Sequence, residues 1–118
     1  LGITLWTIGF LFEAVGDYQL ARFQANPDNR GMVFDKGLWR YTRHPNYFGD
    51  CLVWWGLFSI AVAGRAPWWI VVSPLLMTFL LTRVSGVSLL EKSLVERKHG
   101  YQEYVAKTSS FIPWPPRR

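Results

Sequence analysis

The sequence predicts an all-α fold, a polytopic membrane helix bundle of about three transmembrane helices followed by a cytoplasmic amphipathic C-terminal tail. Three observations predict it. Half of the 118 residues are hydrophobic, 17% are aromatic and seven are Trp, well beyond the usual make-up of a soluble domain. Apolar runs of near-span length recur between short polar stretches. Of the thirteen Lys and Arg, all but Arg65 fall on one side when three spans are drawn, as the positive-inside rule requires of the cytoplasmic face. The length suits a single membrane domain, 1–118. The apolar run at Leu1 has no Met or signal-type n-region ahead of it, so the chain is expected to be the C-terminal part of a longer protein.

The first span is expected from Leu1 to about Phe23, an apolar run interrupted by Glu13 and Asp17. Gln24 to Arg43 carries Asn26-Pro27-Asp28-Asn29 and Gly31, all turn chemistry, and should form an interfacial loop. Pro45 suits the first turn of a helix, where its missing N–H costs nothing, so the second span runs from about Asn46 to Ala63 with Asp50 as its only formal charge. Gly64-Arg65-Ala66-Pro67 turns the chain, and the uncharged stretch from Trp68 to about Thr82 supplies the third span, with Trp68 and Trp69 where an aromatic belt would lie. From Ser88 the chain is basic and amphipathic, with Leu89, Leu90, Leu94 and Val95 on one face, and should lie along the surface. Loop 24–45 and this tail are both expected on the cytoplasmic side of an integral protein of the bacterial inner membrane. A soluble helical bundle is the alternative, because spans two and three are short for the hydrocarbon thickness.

Several function classes are set aside. The single Cys51 excludes an intramolecular disulfide and a multi-Cys zinc site, and its apolar surroundings predict a small buried hydrophobe. The net charge of +5 comes from cations alternating with apolar runs, which fits membrane flanks better than nucleic acid. No metal is expected, because His44 and His99 are the only histidines and neither sits in a ligand-spaced cluster. There is no GxGxxG, Walker or Gly-x-Ser-x-Gly motif, so a nucleotide would need a non-Rossmann pocket.

The chemistry-bearing residues gather in and around GLWRYTRHPNYFGD, Gly37 to Asp50. Asn46 and Asp50 are four apart and share a helix face, with Trp54 a turn further on. A lone intramembrane carboxylate must face protein, water or ligand, so Asp50 is a site candidate, or else it pairs with Arg43 or another loop cation near the interface. Glu13 and Asp17 repeat the spacing on span one, and Asp17, nearer the loop, is the better candidate. Arg43 and His44 stand at a helix start whose N–H groups favour anions, which suits a ligand phosphate or a lipid headgroup. Glu91 could meet a ribose hydroxyl or a neighbouring Lys, and Tyr101 and Tyr104 could stack on a ligand or anchor at the interface.

Together with Trp54-Trp55-Gly56, GVSLLEKSL at Gly86 to Leu94 and YQEYVAKTSSFIPW at Tyr101 to Trp114, that stretch resembles the steroid 5-alpha-reductase-like family of integral membrane enzymes, especially bacterial members. The match covers nearly the whole chain. The Arg43-His44-Pro45-x-Tyr47 core is shared with isoprenylcysteine and phospholipid methyltransferases, which use S-adenosylmethionine. Those enzymes usually carry paired acids in the tail helix, whereas Glu91 stands alone in LLEKSL, and DYQLARFQANP at Asp17 to Pro27 looks like the reductase pattern.

The resemblance implies a cofactor-holding part in which NADPH is bound by Asp17, Arg43, His44, Asn46, Asp50, Glu91 and Tyr104. It implies hydride transfer to the β carbon of a lipidic enone, steroid-like or otherwise, and protonation of the enolate. The groups that polarise the carbonyl would lie on earlier helices, upstream of Leu1, so no catalytic residue is assigned. Sterol reductases of this kind carry a Lys and an Arg where this chain has Leu20 and Gln24, a departure at the contact to the 2′-phosphate. The expected partners are a lipidic small molecule and the bilayer. Methyl transfer from S-adenosylmethionine is the alternative enzyme, and a membrane scaffold the non-enzymatic one.

Overall fold

Two long helices laid against each other by their glycines form the frame. In the computed structural model, which describes residues 1–84, 87–98 and 100–117, α1 (Gly2–Gln24) and α2 (Pro45–Ala63) run antiparallel. Side chains of residues 84, 87–89, 96 and 97 are likewise not described, so His99, Arg118 and the side chains of Leu89 and Arg97, singled out above, lie outside the described residues.

Gly2, Gly9 and Gly16 are the buried residues of α1, and they face Gly56, Gly49 and Pro45 in turn. A Cβ on Gly9 would stand 2.5 Å from the Gly49 carbonyl oxygen, and one on Gly56 would stand 2.7 Å from the Trp6 nitrogen. The backbones therefore approach more closely than any larger residue permits, the packing logic of small residues in helix pairs. Spaced by seven, these glycines recur on one side of each helix. The seven-residue spacing of these glycines is itself a sequence signal for the seam.

Pro45 occupies the first turn of α2, as expected, and Gly64 ends it, with Arg65 at φ +71° turning the chain. Beyond the turn come a 3₁₀ segment (Trp68–Val71), the short helix α3 (Val72–Phe79) and a π-helical turn (Leu80–Val84). Thr78 ties α3 to α2: the Trp55 indole donates to its hydroxyl at 3.0 Å, and Cys51 Sγ lies 3.2 Å from the same oxygen. Cys51 is buried, as its apolar surroundings predict. Two further helices, α4 (Val87–Arg97) and α5 (Tyr101–Lys107), complete an elongated molecule of 51 × 26 × 24 Å.

The helical class holds, but the polytopic membrane bundle does not. Among the described residues no helix is long and apolar enough to cross a membrane. α1 has the length and is broken by Glu13, Asp17 and Arg22. α2 spends its first turns on Asn46, Tyr47 and Asp50, leaving from Cys51 onward only roughly 20 Å of apolar helix at 1.5 Å per residue against about 30 Å of hydrocarbon. The third expected span is split into three unlike pieces, and its α-helical part is 8 residues long.

The tail also differs from expectation. It does not simply line the surface: α5 buries Tyr101 and Tyr104, and the segment after it pairs with the loop. Arg43 N–H donates to the Ser109 carbonyl at 2.9 Å and Trp114 N–H to the Tyr41 carbonyl at 3.0 Å, so loop and tail stand at one end of the molecule.

Candidate functional site

The loop before α2 is held from three sides, and this holding creates the site. Against α1, the Trp39 indole donates to the Gly16 carbonyl at 3.0 Å, Leu38 N–H donates to Gln19 Oε1 at 3.1 Å, and Phe34 stacks on Phe23 with centroids 4.7 Å apart. From the tail, the Phe111 carbonyl accepts the Thr42 hydroxyl at 2.7 Å, and Thr42 in turn accepts His44 N–H at 3.2 Å. From α5, the Tyr104 hydroxyl donates to the Trp39 carbonyl and lies 3.3 Å from that of Thr42. Thr42, Arg43, His44 and Pro45 are all buried as a result.

Burying Arg43 and His44 requires partners, and Glu91 of α4 provides them. Arg43 Nη1 pairs with Glu91 Oε2, the Tyr101 hydroxyl donates to the same oxygen at 3.2 Å, and His44 Nε2 lies 3.3 Å from it. One carboxylate oxygen thus draws three groups from two distant stretches of chain. Burial acts to raise the Glu91 carboxyl, but the nearby His44 ring, the Arg43 guanidinium and the Tyr101 hydroxyl outweigh it and hold it below the usual carboxylate value. Burial, joined by the Glu91 charge, pushes the Tyr101 phenol up, so it remains a donor. Arg43 Nε and His44 Nδ1 are buried without a hydrogen-bond partner, and His44 Nε2 has no polar neighbour but the Glu91 carboxylate, 3.3 Å away and short of good hydrogen-bond geometry. Buried polar atoms left without a partner are costly, which makes Arg43 Nε and His44 Nδ1 the atoms most in need of one.

A cavity of about 230 Å³ opens beside this cluster, lined by Arg43, Asn46, Tyr101, Tyr104, Lys98 and Gln24 and otherwise by apolar side chains such as Leu20, Phe23, Trp39, Leu90 and Leu94. It adjoins a wider groove of about 660 Å³ between loop and α5, with Met32, Val33 and Tyr104 as shared walls. Lys36, Arg40, Lys107, Asp35 and Glu103 border the groove.

Of the residues singled out in the sequence, the structure gathers Arg43, His44, Asn46, Glu91 and Tyr104 at this end. Asp17 and Asp50 do not line the cavity: Asp17 is exposed on α1, and Asp50 sits a turn along α2 beside Gly49, against which the Glu13 backbone packs. Arg43 pairs with Glu91, so neither the Arg43–Asp50 pair nor a Glu91–Lys pair considered above is the arrangement found. Tyr104 spends its hydroxyl bracing the loop, while Tyr101 touches Glu91 directly. Trp39, Thr42 and Lys98 escaped the sequence reading. Trp39 and Thr42 flank the Arg43-His44 pair at short range, but nothing in the sequence shows that their backbone carbonyls meet Tyr104. Among the described residues no group of three or more His, Cys, Asp or Glu could hold a metal ion.

Comparison with known families matches residues 1–108 to one described as "Protein of unknown function (DUF1295)". A protein of Schizosaccharomyces pombe, described as uncharacterized protein C9.08c, is 30% identical over 93 residues, covering 65% of this chain and 33% of its own length. The chain therefore spans about a third of that relative. No solved structure matches it.

Proposed function

We propose, for a chain that belongs to the DUF1295 family, a domain of the steroid 5-alpha-reductase-like superfamily, that it forms the nucleotide-holding part of an oxidoreductase using NADPH to reduce a carbon–carbon double bond in a lipidic enone. The observation that carries this reading is the convergence of Arg43, His44 and Tyr101 on Glu91, which fixes Arg43 and Tyr101 in the wall of the cavity. Such a cluster fixes the orientation of Arg43 and Tyr101, because both are held by Glu91 before a ligand arrives.

The residues present fit one end of a dinucleotide. Arg43 Nε is buried without a partner, Asn46 brings an amide to the cavity wall, and the Tyr101 hydroxyl stands protonated at the same wall. The cavity is smaller than the roughly 300–1,000 Å³ of a drug-sized site, so the remainder of so large a molecule would occupy the adjoining groove. The chemistry supplied by the bound cofactor is hydride donation to the β carbon of the enone. Arg43, Asn46 and Tyr101 would bind and orient it, Glu91 would hold Arg43 and Tyr101 in place, and Tyr104 would hold the loop that carries Arg43. The lipidic character of the substrate is supported by the apolar cavity walls and by the exposed side chains of Trp68, Trp69, Val72 and Phe79.

Calorimetric titration of the purified full-length protein with NADPH, and separately with S-adenosylmethionine, tests the reading. Binding of NADPH that weakens about tenfold on Asn46→Ala supports it, that being the worth of one well-made hydrogen bond. Binding of S-adenosylmethionine alone moves the site to methyl transfer, and binding of neither overturns the nucleotide reading.

A further inference from the structure

We propose that the hook formed by residues 107–117 docks on an anionic lipid surface, with Lys107 and Arg117 meeting headgroup phosphate and Ile112 and Trp114 entering the interface. The inference is independent of the nucleotide reading, and the hollow it uses shares no lining residue with the cavity.

After α5 the chain turns back on itself. Arg117 N–H donates to the Lys107 carbonyl at 2.8 Å, which closes the segment between them into a loop. That loop is pinned along its length. The Ser109 hydroxyl donates to the Ile112 carbonyl, the Ser109 carbonyl accepts Arg43 N–H at 2.9 Å, the Phe111 carbonyl accepts the Thr42 hydroxyl at 2.7 Å, and Trp114 N–H donates to the Tyr41 carbonyl at 3.0 Å. Phe111 turns inward, its ring edge-on to Phe48 with centroids 5.7 Å apart. The next large apolar side chains turn out, Ile112 being 65% exposed and Trp114 69%. With the backbone held on both sides of them, this exposure is set by the fold, and a partner meets them already ordered.

Beside the two lies a hollow of about 250 Å³, lined by Lys107, Ser109, Trp114, Pro115 and Arg117. It carries two cations and no carboxylate. Lys107 also borders the wider groove, where Glu103 stands one turn earlier on α5, yet among the described residues neither Lys107 nor Arg117 forms an ion pair. Like charges drawn together by a backbone hydrogen bond favour an anion beside them.

The chemistry selects the partner. A free phosphate would satisfy the cations and leave Ile112 and Trp114 in water; a nucleic acid could stack on Trp114 but offers an aliphatic Ile112 nothing. A bilayer interface takes all four, with Trp at headgroup level, an aliphatic side chain at the acyl boundary, and Lys and Arg against the phosphates. Docking of this kind needs no spanning helix, and none is found among the described residues.

The experiment puts a nitroxide on Ile112→Cys of the full-length protein, combined with vesicles of phosphatidylcholine or of an equal mixture of phosphatidylcholine and phosphatidylglycerol. Protein without the substitution, treated alike, gives the background, and Cys51 is buried away from the reagent. Electron paramagnetic resonance compares the label's contact with oxygen, which dissolves in the bilayer, and with a water-soluble nickel chelate. Near-ultraviolet circular dichroism checks that each variant keeps its native packing. The expected result is a label in the bilayer when phosphatidylglycerol is present, in water when it is absent, and released by salt. Lys107→Gln and Arg117→Gln should each lower the ratio of inserted to water-exposed label about fivefold, the worth of one cation at an anionic surface, and Lys107→Arg should retain it. Trp114→Ala should lower the ratio as well. A label in water with both vesicles overturns the proposal, whether or not inorganic phosphate or an oligonucleotide binds in separate titrations. Equal insertion in both vesicles, indifferent to Lys107→Gln and Arg117→Gln, overturns it too, because apolar contact alone would then hold the hook.

Discussion

Arg43, which lines the cavity, and Glu91, 48 residues away, meet in an ion pair that joins the loop before α2 to α4. The guanidinium is 9% exposed and the carboxylate 19%, so water does little to replace either partner when the other is removed.

Glu91→Gln should therefore destabilise the protein, by about 1–3 kcal/mol, because it leaves the Arg43 charge buried and weakens the Tyr101 bond in one step. Chemical denaturation followed by far-ultraviolet circular dichroism measures this. Combining it with Arg43→Met should cost less than the two single changes added together, since the double variant has no orphaned charge. Strict additivity would mean that the pair contributes nothing.

The same pair makes stability depend on acid. The Glu91 carboxyl is held below its ordinary 4.5 in the folded protein, so its contribution is fully present above that value and is lost as the pH falls through the lowered one. Denaturation midpoints measured from neutral pH down into this window should fall for wild type. They should fall less steeply for Glu91→Gln, which has no carboxyl to protonate there.

Tyr104→Phe removes the hydroxyl that donates to the Trp39 carbonyl and lies near that of Thr42. Burial raises the Tyr104 phenol, so the hydroxyl keeps the proton it donates. The loss should be about 1–2 kcal/mol in denaturant, the cost of a buried acceptor left unmade. Tyr101→Phe should cost less stability but should weaken NADPH binding more, because Tyr101 sits on Glu91 at the cavity wall and Tyr104 works through the loop.

The glycine seam predicts a sharp contrast between two alanine substitutions. Gly9→Ala drives a methyl to within 2.5 Å of the Gly49 carbonyl oxygen, backbone that cannot rotate away, and should cost about 1–3 kcal/mol as α1 and α2 are forced apart. Gly64→Ala meets its nearest atom at 3.5 Å and should leave the thermal midpoint nearly unchanged.

Both long helices were readable because their causes are local. Apolar runs without β-breaking punctuation, Pro45 at a helix start, and Asn26-Pro27 and Gly64 at helix ends each act over a few residues. The polar motif Arg43-His44 was readable for the same reason: two costly side chains side by side demand an explanation wherever they fold. Reading the apolar runs as spans went further than local chemistry allows, since the same side chains serve a helix seam, a cavity wall or an exposed face. The three pieces that replace the run from Trp68 to Thr82 illustrate the point: hydropathy fixes burial tendency and not helix continuity.

The sequence by itself determined the helical class, the position of α1 and α2, and which residues carry chemistry. Only the tertiary structure decided which of them act together. It matched Glu91 to Arg43, set Tyr101 on that carboxylate, turned Tyr104 into a brace, left Asp17 and Asp50 outside the cavity and brought Lys98, Leu20 and Gln24 to its lining. The physical reason is the distance along the chain. Pairings between residues dozens of positions apart depend on how the glycine seam and the returning tail bring the segments together, and no short-range pattern records where that return lands.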